Sequence, residues 1–134
     1  MQYTIGLATN VSVTYVSVGD VGFPSHDEFT DWLLDTAHYM LALPSPPQVM
    51  TTSYGDNEEY ISDALSEYVS LLFRYEHELM AAKCSALCTT YAALEARGVS
   101  VLFGSGDGGV SGIQPEFVTP QCTTFVPTFP SVCP

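Results

Sequence analysis

Basic side chains are nearly absent from this 134-residue chain: Arg74, Lys83 and Arg97 stand against fifteen carboxylates, a formal charge of −12. So acidic a surface repels a phosphate backbone, which excludes nucleic acid as an expected partner. Long apolar runs are lacking too. Residues 1–19 carry no charged side chain, but Gln2, Thr4, Thr9, Asn10, Ser12, Thr14 and Ser17 make them too polar for a membrane span. The same stretch has neither the basic start nor the small-residue cleavage site of a signal peptide. No Gly-Lys-Ser/Thr triplet occurs, which excludes a P-loop.

What is present points to a packed domain. Hydrophobic residues make up 46% of the chain, and eight tyrosines, seven phenylalanines and one tryptophan are far from a disordered composition. The length suits one domain or part of one, and excludes two independent cores. An acidic surface loses its self-repulsion as carboxylates protonate, so the balance suits an acidic medium.

Val11–Val18 alternates β-branched or aromatic residues with polar ones and predicts a strand, ended by Gly19, Gly22 and Pro24. Ser25-His26-Asp27-Glu28 reads as a capping box. Phe29, Trp32, Leu33, Thr36, Ala37, Met40 and Leu41 then recur at helical spacing up to Pro44, a stripe that predicts core packing. Gln48–Tyr54 predicts a second strand closed by Gly55. Residues 56–96 are helical in character, with Arg97 in the last turn and Gly98 as C-cap. Val99–Phe103 is continuously apolar, as for a third strand covered on both faces. Five prolines in the last twenty residues leave little room for regular structure. The order β-α-β-α-β with a Pro/Gly-rich tail predicts an α/β layer of parallel strands.

Sites in such sheets lie at the carboxyl ends of strands, here Ser53–Asp56 and Gly104–Gly109. Gly104, Gly106 and Gly109 fit G-x-G-x-x-G, but Gly112, Pro115 and Pro120 preclude the helix that would receive a pyrophosphate, so no nucleotide is expected. Asp107, lodged among these glycines, is either a turn-former bonded to its own backbone or an acid beside amides where negative charge develops. Cys122 and Cys133 flank ten residues of Pro-rich tail and are the candidate disulfide. Cys84 and Cys88, one helical turn apart, read as buried thiols. His77 does not complete a zinc set with them, and no metal site is expected. Asn10-Val11-Ser12 is a glycosylation sequon, with Asn10 the acceptor if the chain is secreted.

"SYGD" (Ser53–Asp56), "ARGVSVLFGSGDGG" (Ala96–Gly109) and "FVPTFPSVCP" (Phe125–Pro134) resemble, in order, landmarks of the sedolisins. These are serine-carboxyl peptidases that include tripeptidyl peptidases, and the fungal secreted branch is the nearest in pattern. Gln2–Gly19 is similar to the stretch that follows the family's first catalytic helix. The resemblance implies a partial subtilisin-like fold and cleavage of a peptide or protein substrate by a Ser nucleophile, a Glu base and an Asp partner. It also assigns Ser105-Gly106-Asp107 to the oxyanion motif, with Asp107 the donor. A carboxylate would repel an oxyanion, so Asp107 must carry its proton, and acid-side activity follows. Ser53, Tyr54 and Gly55 match the strand on which substrate backbone lies, main chain to main chain.

The family's Gly-Thr-Ser nucleophile segment has no counterpart in this sequence, its Glu and Asp would precede Met1, and its calcium site lies outside the matched region. The resemblance is therefore to an internal fragment, a single partial peptidase domain over 1–134. It would hold no cofactor of its own, be inactive alone, and belong to an extracellular full-length member. The alternative is a non-catalytic α/β remnant that binds a peptide or partner chain through its sheet edge. Sedolisins bridge Ser53 to Gly98 with roughly 18 fewer residues, about five helical turns. Excising Ser70–Leu87 restores the family pattern, which suggests an in-frame unspliced intron, with Met1 an internal methionine; a genuine insertion forming a helical hairpin is the competing reading. One helix over residues 57–96 would be about 60 Å long against a domain about 35 Å across, so it must break or protrude.

Overall fold

The computed structural model of the chain describes residues 2–19, 26–57, 71–112, 125–131 and 133. Among the described residues, three helices, α1 (Gln2–Leu7), α2 (His26–Ala42) and α3 (Leu71–Ala96), accompany two small sheets. β1 (Val49–Thr52) pairs in parallel with β3 (Ser100–Phe103), Val49 opposite Ser100 and Thr52 opposite Phe103. β2 (Asp56–Asn57) pairs antiparallel with β4 (Thr128–Phe129). The chain is thus mixed helix and strand around a parallel pair joined through α3, compatible with the α/β expectation.

The two long helices make the core. Phe29, Leu33, Ala37 and Met40 recur every three to four residues on one face of α2, and Leu87, Tyr91 and Leu94 do so on α3; all are buried and lie in one cluster with Met50, Val99 and Phe129. Leu87 and Leu94 are wholly enclosed, each worth about 1.5–3 kcal/mol of apolar burial. Lys83 and Arg97 both tie α3 to α2. The Lys83 ammonium donates to Asp31 Oδ2 at 2.9 Å. The Arg97 guanidinium donates to the carbonyls of Leu41, of Leu43 at 2.8 Å and of Pro44 at 3.3 Å, satisfying the last turn of α2 and the two residues that follow it. α3 ends as its sequence predicts: Gly98 has φ 85°, and the Val99 amide reaches back to the Leu94 carbonyl at 3.1 Å.

Several expectations are corrected. Val11–Val18 is irregular and largely exposed rather than a strand, because alternation yields a strand only beside a partner ladder and no described segment supplies one. β3 is covered on one face only: Val101 and Phe103 are half-buried with Met50 and Thr52 toward the helices, whereas Ser100 and Leu102 share the open face with Val49 and Thr51. Asp56–Asn57 is a strand and not the start of the helix, and the Pro-rich tail holds regular structure at Thr128–Phe129, since both stretches satisfy their backbones on each other. Finally, Cys133 is bonded to Cys88, with Cα atoms 5.3 Å apart. The pairing with Cys122, which lies outside the described residues, is therefore not formed, and Cys88 is not a free thiol; Cys84 is. The tail folds back across α3, which chain spacing does not encode.

Within the 70–87 segment, described from Leu71 onward, α3 is one continuous helix, without the turn of a hairpin. Lys83 and the fully buried Leu87 belong to the packing against α2 just described.

Candidate functional site

Parallel pairing of β1 with β3 makes both strands run out at the same end, and the ladder continues one step further, the Gly104 amide donating to the Thr52 carbonyl at 3.0 Å. Ser53–Gly55 and the glycine loop from Gly104 therefore emerge side by side. The sequence-predicted substrate strand and the loop carrying Asp107 are brought together. A β-carbon built on Gly104 would stand 3.7 Å from Ser53 Cα.

Ser53 and Tyr54 are exposed and Gly55 is half-buried. Among the described residues no hydrogen bond engages their backbone groups, so this short stretch presents free main-chain donors and acceptors. Its position is held at both ends. The Tyr54 ring lies 5.0 Å from that of buried Phe29, tilted by 60°, and Gly55 passes close under the tail, where a β-carbon would stand 3.0 Å from the Phe129 carbonyl oxygen.

The glycine loop closes on itself. Gly108 donates to Gly112 at 2.8 Å, Ser111 to Gly108 at 3.2 Å and Gly112 to Gly109 at 3.3 Å, around a 3-10 turn at Gly109–Ser111. Gly112 has φ 67°, a conformation that favours glycine. The tail is the third side: the Val126 amide donates to the Val110 carbonyl at 2.8 Å. Asp107 itself is exposed and, among the described residues, has neither a hydrogen bond nor an ion pair. This arrangement can offer a peptide an edge to lie along, beside an acid able to donate when protonated.

Asn57 was not singled out by the sequence, yet it is buried on β2, directly beneath Gly112. Only the tail's return onto β2, a long-range event, marks it. Asn10 is exposed in a turn with φ 65°, accessible to modification. Cys122 lies outside the described residues. Among those described, no group of His, Cys, Asp and Glu is arranged to hold a metal, and no helix is long and apolar enough to cross a membrane.

No family model matches the chain, and no solved structure matches it. Curated proteins do. The chain is 34% identical over 143 residues to a probable tripeptidyl-peptidase SED3 of Arthroderma benhamiae, and 32% identical to the tripeptidyl-peptidase SED4 of Arthroderma otae. It is also 32% identical, over 144 residues, to a probable tripeptidyl-peptidase SED2 of Trichophyton verrucosum. Each alignment takes in 100% of this chain and 21% of the relative, so the chain spans about a fifth of the length of the proteins it matches.

Proposed function

We propose that this chain is a segment of a sedolisin-family peptidase, the part of a secreted, acid-acting tripeptidyl-peptidase that carries the oxyanion acid and the substrate strand. Support comes chiefly from one juxtaposition. The main chain of Ser53–Gly55, free of hydrogen bonds among the described residues, lies beside the loop of Asp107 at the common end of two parallel strands.

A peptide laid along Ser53–Gly55 would bond backbone to backbone, as an added strand does. Its scissile carbonyl would then face the Gly104–Asp107 loop. Attack on that carbonyl moves charge onto its oxygen. Asp107, in its protonated form, donates a hydrogen bond to that oxygen. The nucleophile and base belong to parts of the full-length protein that this sequence does not contain, and the segment alone does not turn over.

The test uses the longer polypeptide that contains this segment, with a tripeptide reporter at acid pH. Asp107→Ala lowers kcat by about a hundred- to a thousandfold while the purified 134-residue chain stays inactive. Unchanged kcat in the variant, or hydrolysis by the isolated chain that Asp107→Ala abolishes, refutes the proposal. A second reading, a non-catalytic remnant that binds an extended peptide, is favoured by the sheet itself. With two strands, each has an edge unpaired among the described residues, and Val49 and Leu102 are each 55% exposed. Peptide binding by the isolated chain with no active longer protein would select it. For residues 70–87 we propose an in-frame intron retained in translation; a mature transcript that keeps the segment overturns that.

A further inference from the structure

We infer that Asn57 is the positioning residue that sets the Asp107 loop against the substrate strand, an inference that rests on the reading of Asp107 given above. Asn57 is 3% exposed, a degree of burial that an amide side chain tolerates only when partnered. It stands where three segments converge. Through the chain it is two residues beyond Gly55; through β2 it faces Thr128 of the tail. Through space its Oδ1 occupies the room beneath Gly112 so closely that a β-carbon there would collide with it, and a β-carbon would also come within 3.1 Å of the Val126 carbonyl oxygen.

Gly112 in turn accepts from the Gly108 amide at 2.8 Å, next in sequence to Asp107. A displacement of the Asn57 amide therefore passes through one non-bonded contact and one hydrogen bond to the residue flanking the acid. The Asp107 carboxyl has no partner of its own to fix it among the described residues, so its place depends on how the loop is seated. Short side chains at position 57 leave a gap under Gly112, while the near-isosteric aspartate keeps the shape.

Amide hydrogen exchange in this chain reads the seating without any catalysis. Asn57→Ala speeds exchange of the Gly108, Ser111, Gly112 and Val126 amides by about tenfold, leaves Ser100 and Gly104 on the β1–β3 ladder unchanged, and is partly reversed in Asn57→Asp. Unchanged loop exchange, or an equal rise at all six amides, overturns the inference. In the longer active protein, Asn57→Ala lowers kcat more than it raises KM, and adding it to Asp107→Ala costs nothing further; additive losses overturn the coupling. Should Asp107→Ala leave kcat unchanged, the oxyanion reading fails, and the exchange arm still decides whether Asn57 seats the loop.

Discussion

Breaking the Cys88–Cys133 bridge tests the architecture most directly, because that bond fastens the tail that carries β4 and flanks the site. The two cysteines are 45 residues apart, so cross-linking them removes about 13 cal/mol/K of loop entropy from the unfolded chain, about 4 kcal/mol at 25 °C. The loss also releases Thr128 and Phe129, both buried, from their pairing with Asp56 and Asn57. Cys133→Ser and Cys88→Ser should therefore each lower the urea midpoint by about 2 M, taking a slope near 2 kcal/mol/M for a chain of this size. Cys84→Ser should leave it in place, since that thiol is unbridged. Denaturation followed by fluorescence and circular dichroism, with non-reducing peptide mapping of each protein, makes the measurement. A Cys133→Ser midpoint within about 0.3 M of the parent, or a mapped Cys122–Cys133 peptide, refutes the reasoning.

Leu94→Ala, at a wholly enclosed site between the helices, should cost about 2–5 kcal/mol in the same urea assay. Arg97→Lys keeps the charge but loses the fork that serves the carbonyls of Leu41, Leu43 and Pro44; it should cost about 1 kcal/mol, and Arg97→Ala no less. The Tyr91 hydroxyl is buried with no hydrogen-bond partner among the described residues, so Tyr91→Phe should stabilise by about 1 kcal/mol. Burial also raises the Tyr91 pKa above its ordinary value of 10.0, so the folded chain keeps a proton that the unfolded chain releases. Stability therefore falls as pH climbs past about 10, and urea midpoints across pH 9–11 should drop more in the parent than in Tyr91→Phe. Desolvation raises the Cys84 thiol more than neighbouring Lys83 lowers it, so Cys84 should alkylate more slowly at pH 8 than after unfolding.

Local rules read correctly where the determinants are local. The apolar stripe of α2, the C-cap at Gly98 and the strand character around Val49–Thr52 and Ser100–Phe103 each follow from a few neighbouring residues, and the structure has them all. Reading failed where a distant segment decides. The alternation of Val11–Val18 gives a backbone ready to pair, but pairing needs a second strand, and hydrogen-bond groups facing water are satisfied without one. The tail shows the converse. Its prolines argue against structure, yet Thr128 and Phe129 find β2, and Cys133 finds a helix 45 residues upstream.

The same division runs through the candidate site. That Asp107 and Ser53–Gly55 follow strand ends was legible, because each strand's end could be located from its own residues, and parallel pairing then had to bring the two ends together. Asn57 was not, because its burial depends on Thr128, Val126 and Gly112 arriving from 55 or more positions away. What lies open follows from the same cause. Val49 and Leu102 sit on the face that no described helix covers, and Ser53–Gly55 keep their amides and carbonyls because the ladder stops at Gly104. An edge left unpaired at the mouth of a parallel pair is what an added strand requires, so the feature that makes this sheet incomplete as a core is also what leaves its main chain open to pairing.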